Sequence, residues 1–461
     1  MKILPKVLVL MALALPAGAE SLPVVTLSDA IAAASENNIS LKQAAISMNQ
    51  TIRNENNYVA DYLPTFGLSA TADTGWDFPD DGTAPEFNGF GLNLGAAASF
   101  SYTLSGSKIT GAESRKLAKE GAALTYESAY DSVESLITSS YWTLSSYDVA
   151  IENAKASLED AKASYESTLS MYNAGMVDEL TLSNMELALS NAEMALTEAE
   201  NDKALAMASF KAATGLTDDF ATEPLPETVM LSLPSPEELF REYAEGSSAI
   251  RSARNTLATA KNAETTATLT QYMPTVTATI GYTYAGGISS KDQMMEILGT
   301  PVTTQKAGEY STSAHSLTGS VAVNIPLSSY IPGSTADEAR RNASDAVQIA
   351  ALSLQNEQNT LLDSIRQSVI SINQQQATLG MLRQSLAIAE RTYALAEDSY
   401  EAGLITADDL SDRRTSLLSA QNNLLTARLG HLLSSYTLAD TLGIDLQELQ
   451  DKYPSTEKET E

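Results

Sequence analysis

Three carboxylates crowd the stretch YEAGLITADDLSD, residues 400–412, where Asp408, Asp409 and Asp412 follow Gly403. Aspartate in the first turn of a helix is favoured by the macrodipole, so an acidic helix start is the simplest reading of the three. Proton-transfer and nucleophilic chemistry find little to work with. The chain has only two histidines and no cysteine. His315 precedes a strand-like pattern and His431 lies in a helical one, and neither has a Ser, Asp or Glu arrangement of a catalytic set. No phosphate loop, dinucleotide fingerprint or metal motif occurs. The expectation is a protein that is not an enzyme and takes no cofactor or metal.

The acidic stretch has a counterpart. Residues 172–184 read YNAGMVDELTLSN, and the same Tyr-x-Ala-Gly turn returns 228 residues later, with Leu-Ser at the same offset. Gly215 and Gly443 keep that spacing, as do Tyr165 and Tyr393. A single long internal repeat is the reading. Expected boundaries are 20–229 for the first repeat and 230–453 for the second. A signal peptide at 1–19 precedes them, and a disordered tail at 454–461 follows.

The turns must be carried by long helices. No proline occurs between Pro85 and Pro224 or between Pro332 and Pro454. Within the first window an apolar seam runs in steps of three and four, among others through Ile137, Tyr141, Leu144, Ala154, Ala161 and Tyr165 to Tyr172. Leu379, Leu386, Tyr393 and Tyr400 repeat it in the second. A helix over about 112–172 would be roughly 90 Å long. The chain turns helical again over about 182–214 and 408–442, which makes each arm an antiparallel hairpin. Such a seam also fits a spacer coiled coil.

Four alternating segments decide between the two. LPTFGLSATAD, LNLGAAASFSYTL, PTVTATIGYTY and LTGSVAVNIPL each set apolar residues on one face and Thr, Ser, Gly or Asn on the other. They fall in two pairs, about 65–104 and 275–328. Their length and period suit membrane β-strands. Residues 75–90 and 285–315 read as long loops, and Trp76, Phe78, Phe87 and Phe90 are available for an aromatic girdle. A soluble sandwich is the competing arrangement.

The opening MKILPKVLVLMALALPAGAE reads as a secretory signal, with an apolar run too short to span a bilayer as a helix. Export without cysteines fits a bacterial envelope. The net charge of −30 argues against nucleic acid and anionic lipid headgroups as partners, because both would be repelled.

A sheet in lipid must close, since edge N–H and C=O groups find no water there. Four strands enclose no pore, so the chain must assemble. Two copies would give a barrel nearly filled by side chains, whereas three would leave room for a polar-lined lumen.

LSDAIAAASENNISLKQAA near the start, the YLPTF and YMPTV strand starts and the two YxAG turns, in this order, resemble the TolC-type outer-membrane efflux protein family over essentially the whole mature chain. The resemblance implies a mixed α and β membrane protein, a homotrimer. Its twelve-stranded β-barrel takes four strands per chain and is continued by a long α-helical barrel of antiparallel helical hairpins. It places the barrel in the outer membrane among its lipids and the helices in the periplasm. It implies a periplasmic adaptor and an inner-membrane transporter of RND, ABC or MFS type, hence an exit duct for efflux or type I secretion. In that family an acidic constriction follows the second turn in a Gly-x-x-x-x-x-Asp-x-x-Asp pattern, which falls here on Asp409 and Asp412, with Asp408 beside them. Repeated around a ring, such carboxylates attract cations and repel anions. The family's adaptor-contact turns fall on Gly175, Met176, Gly403 and Leu404. Its gate tyrosine is kept as Tyr400. The gate arginine is replaced by Ile405 and the first-repeat aspartate by Thr181, so closure must use other contacts. An envelope anchor with adhesive arms and a passive porin are the alternative functions. Threonine-lined strands argue against the first and the long helices against the second.

Overall fold

A computed structural model describes residues 22–75, 91–297 and 300–455. The signal segment, the aromatic residues Trp76, Phe78, Phe87 and Phe90, and residues 456–461 lie outside the described residues. The chain begins with a short strand β1 (Val24–Val25) and helices α1 (Leu27–Asn37), α2 (Ile39–Asn56) and α3 (Tyr58–Tyr62). Strands β2 (Thr65–Gly75) and β3 (Gly91–Leu104) lead into α4 (Gly106–Asn173) and α5 (Glu179–Thr214). Then come β4 (Ala221–Thr222), α6 (Pro236–Tyr243), α7 (Ser248–Tyr272), β5 (Thr275–Ile297) and β6 (Thr300–Asn324). A 3-10 turn, α8 (Thr335–Glu401), α9 (Ala407–Leu442) and α10 (Leu446–Lys452) complete the order.

The repeat is visible in the element ends. α4 and α8 stop at Asn173 and Glu401, α5 and α9 at Thr214 and Leu442, each pair 228 residues apart. Gly215 and Gly443 terminate α5 and α9 in left-handed conformation, φ 76° and 72°. At 68 residues α4 is about 100 Å long, longer than the expected arm because it starts directly behind β3.

The structure divides into two compact units. One comprises, of the described chain, residues 45–75, 91–126, 248–297 and 300–359 and holds an antiparallel sheet of order β2-β3-β5-β6. Its polar face is knitted by small residues. The hydroxyls of Thr65 and Ser101 lie 2.6 Å apart, those of Thr103 and Thr277 3.2 Å apart, and a side chain at Gly95 would collide with Thr71. The other face leaves Phe66, Leu68, Phe100, Ile280, Leu317, Val321 and Val323 exposed. A continuous apolar face of this kind has to be covered by something other than water. Strands β2 and β6 form the two open edges.

The second hairpin departs from expectation. Of residues 285–315, expected as a loop, 285–297 and 300–315 continue the ladder of β5 and β6 through a register shift between Ser289 and Lys291. Strand pairing needs only backbone partners, so Thr-, Ser- and Gly-rich sequence pairs as well once it leaves the apolar band. His315 accordingly lies inside β6, opposite Tyr284, with Tyr282 Oη 2.7 Å from its Nδ1.

The other unit comprises residues 22–44, 127–247 and 360–455 of the described chain. Its core packs Ala30 and Ala34 of α1 against Ile137, Tyr141, Trp142 and Leu144 of α4, Phe210 of α5, Phe220 and Leu432. β1 and β4 pair in parallel, and the Tyr141 hydroxyl donates to Val25 O at 2.8 Å while accepting from Glu223 N at 2.8 Å. Burial pushes that phenol up to about 12, so it stays a donor. Residues 220–223 are therefore docked on α4. Further along, Leu231 bridges to Pro454, and Ser455 N donates to Met230 O at 3.0 Å.

Candidate functional site

The two helical turns are built by the same bonds. Gly175 N donates to Tyr172 O and Met176 N to Met171 O, both 2.9 Å; Gly403 N donates to Tyr400 O at 2.9 Å and Leu404 N to Ser399 O at 2.8 Å. This is the left-handed helix stop, and it requires φ +71° at both glycines. An added Cβ would meet nothing within 4 Å at either glycine. The flanking Met176 and Leu404 are 75% and 78% exposed. Two apolar side chains thus stand in the open beside bare backbone.

The next helix starts mirror each other in residue type. In the first repeat Asp178 is the N-cap and accepts from Thr181 N at 2.9 Å and Thr181 Oγ1 at 2.6 Å. In the second, Thr406 is the N-cap and Asp409 the responder. Thr406 Oγ1 donates to Asp409 Oδ2 at 2.6 Å, Thr406 N donates to the same oxygen at 3.1 Å, and Asp409 N returns a bond to Thr406 Oγ1 at 3.1 Å. Donated bonds hold both carboxylates below the usual range, the threonine hydroxyl contributing most in each case. Asp409 therefore caps α9 while remaining exposed and charged.

Of the other two aspartates, Asp408 Oδ2 accepts from Asn184 Nδ2 of α5 at 3.1 Å. Asp412 is exposed on the next turn of α9. Thr181 is engaged with Asp178. Tyr400 has turned inward, only 9% exposed, and its hydroxyl lies 2.6 Å from Thr168 Oγ1 of α4, itself fully buried.

Tyr400 joins a small apolar cluster with Met185, Ala396 and Leu410, packed round by Tyr165, Tyr393 and Ile405. Ile405 thus fills space at the place where the resemblance would put an arginine. A different arginine lies deeper. Arg414 of α9 is 6% exposed and donates from Nη2 to Ser164 Oγ at 2.5 Å and Asp160 O at 3.0 Å on α4, while its Nε has no hydrogen-bond partner. Tyr393 Oη of α8 donates to Asp160 Oδ2 at 3.3 Å, and burial raises its pKa so that the proton stays on. Asp160, Ser164 and Thr168 face one side of α4 at helical spacing and take bonds from both α8 and α9.

Sequence reading did not find Arg414, Asp160, Ser164, Thr168, Tyr393 or Asn184 as members of this site. The one available signal was a cation, Arg414, on a helix face whose neighbours one turn either way, Leu410 and Leu418, are apolar. Among the described residues, no group of three His, Asp or Glu could hold a metal ion. The arrangement can order helix ends, present charge and hold helices together; it offers no reacting group.

The sequence model of one family, described as outer membrane efflux protein, matches residues 30–216 and 239–444. No curated protein matches the sequence. Among solved structures, the Campylobacter jejuni CmeC outer membrane channel superposes with TM-score 0.69 at 19% identity, over 92% of this chain and 88% of that one. The outer membrane protein VceC of Vibrio cholerae gives 0.69 at 18% identity, over 91% and 96%. The open state of the Neisseria gonorrhoeae MtrE outer membrane channel gives 0.67 at 18% identity, over 91% and 89%. At such identities the likeness establishes the fold.

Proposed function

The chain belongs to the outer membrane efflux protein family, and we propose from that premise how its parts make a duct. It is a non-enzymatic exit channel of the outer membrane, with its helical part in the periplasm, and it works with a periplasmic adaptor and an inner-membrane transporter. The observation that carries the reading is the sheet: four strands, one apolar face left exposed, and two unpaired edges. Lipid covers such a face, and only further copies can satisfy the edges. Three copies close twelve strands around the threonine- and serine-bearing face, wide enough for a wet lumen.

The hairpin turns form the periplasmic mouth. Asp408, Asp409 and Asp412, repeated in each copy, line it with negative charge. Gly175, Met176, Gly403 and Leu404 supply the exposed apolar surface that the adaptor meets, and the transporter behind it is of RND, ABC or MFS type. Closure rests on Tyr400 with Thr168 and on Arg414 with Asp160 and Ser164. Thr181 contributes through the cap of α5. Planar-bilayer recording tests the mouth: Asp409→Asn with Asp412→Asn lowers the preference for cations over anions. Unchanged selectivity removes these residues as the filter.

A further inference from the structure

Among the described residues of α5, four large apolar side chains stand in the open, Leu180, Leu187, Met194 and Leu205, each at least 60% exposed. In the same unit α8 leaves four more in the open, Ile370, Met381, Ile388 and Leu395, each at least 57% exposed. Counted away from the turns, both sets step by seven, seven and eleven residues, which keeps each set on one helix face. The internal repeat indicates what such a face meets. Within the chain α4 and α9 are packed together: Trp142 and Leu433 share the core of the helical unit, and Arg414 bonds to Asp160 and Ser164. As α4 climbs from 142 to 160, α9 falls from 433 to 414, so the two run antiparallel. The offset of 228 residues, added on α4 and subtracted on α9, turns this junction into one between α8 and α5. Trp142 and Leu433 become Ile370 and Leu205; Asp160 becomes Ile388, and Arg414 becomes Glu186, next to Leu187. At the same register Met381 comes level with Met194, and Leu395 with Leu180.

That second junction is not made inside the chain, where all eight side chains are exposed. In a ring of copies it falls between one copy and the next. We propose that α8 of one copy packs antiparallel on α5 of a second copy, joining Ile370 to Leu205, Met381 to Met194, Ile388 to Leu187 and Leu395 to Leu180 in one apolar seam. This rests on the reading of the sheet as part of a closed ring and adds the helical surface that holds the copies together. Charge does not choose the partner, since Glu179, Glu186 and Glu193 of α5 come level with Glu397, with Glu390 and Arg391, and with Arg383. The two kinds of junction also differ in chemistry toward the mouth. The repeat counterparts within the chain are Asn153, Asp160 and Ser167 on α4 and Asp408, Thr415 and Asn422 on α9, all polar. A covalent tether keeps that junction together, whereas separate copies depend on apolar area taken out of water.

The chain has no cysteine, so an introduced pair reports on the seam alone. The full-length protein carrying Leu187→Cys with Ile388→Cys is oxidised in mild detergent and run on a denaturing gel without reductant. Side chains in direct contact across the seam lie within disulfide reach, so the protein shifts from one chain to covalent species of two and three chains. Leu187→Cys with Leu395→Cys, displaced by one heptad or about 10 Å, stays a single chain. Equal crosslinking of the matched and displaced pairs overturns the register. A matched pair that stays a single chain, or closes only within one chain, overturns the seam. Native mass spectrometry of the reduced matched variant separates the two readings. Three chains without a crosslink leave the closed sheet standing and give the two stripes to another neighbour such as the adaptor, whereas a single chain refutes the assembly itself.

Discussion

Arg414 is a guanidinium inside a helical tip with one nitrogen unpartnered, so its two remaining bonds to α4 have to offset a costly burial. Arg414→Ala loses charge-assisted bonds of about 1.5–3 kcal/mol and frees α9 from α4. Single-channel recording of the purified protein then shows more frequent opening; wild-type behaviour would take Arg414 out of the gate. The Tyr400 to Thr168 bond is testable by a double-mutant cycle with Tyr400→Phe and Thr168→Val, for which thermal denaturation reads a coupling of about 0.5–1.5 kcal/mol. Asp409 governs a pH dependence. Its folded pKa lies below the unfolded value, so its cap contribution is present above the unfolded carboxylate pKa and is lost as pH falls through the depressed one. With the proposed selectivity role of the mouth, its share of cation preference is expected to persist below the usual carboxylate range, and Asp409→Asn to abolish that acid-resistant part. These partnerships were the least legible in sequence. Thr168 and Tyr400 are 232 residues apart, and nothing in a heptad seam says which hydroxyl on one helix will meet which on another. Ile405 announced only that a familiar partner was missing.

The helical elements were the most legible, because their signals are local and doubled. Proline-free windows, apolar steps of three and four and the glycine stops recur at one spacing, and the observed ends keep it. The sheet was half legible. Alternation marked where each strand is apolar on one face, but it fell silent where β5 and β6 continue as polar pairs, since ladder bonds leave no periodic trace in polar residues. Two predictions sit at this scale. Gly403→Ala forces a side chain into φ +71° with no steric clash around it, so the loss is backbone strain of about 1 kcal/mol. Gly403→Asn costs less, and thermal melts rank the two. The second concerns Glu134 of α4, raised by burial and then by Asp440, Asp131 and Asp445. A raised folded pKa means stability present at low pH and lost as pH rises through that value. Acidification toward the unfolded carboxylate pKa therefore stabilises the helical unit. Glu134→Gln raises the melting temperature at pH 7.5 and narrows the gap between pH 5 and pH 7.5; an unchanged gap contradicts the burial argument.

At the scale of the whole molecule, the account depends on an incomplete sheet. One chain brings four strands to this sheet, exposes Leu68, Phe100, Ile280 and Val321 on the outside, and among the described residues leaves the outer edges of β2 and β6 unpaired. Lipid can cover the face but cannot bond to the edges, so the free energy of closing them falls to other copies of the chain. A chain of net charge −30 pays repulsion for that assembly, and salt relieves it, so ionic strength favours association rather than dissolving it. The mass of the detergent-solubilised full-length protein, measured by native mass spectrometry, tests this most directly. The account predicts a single species of three chains. A stable, monodisperse single chain that remains folded would contradict it.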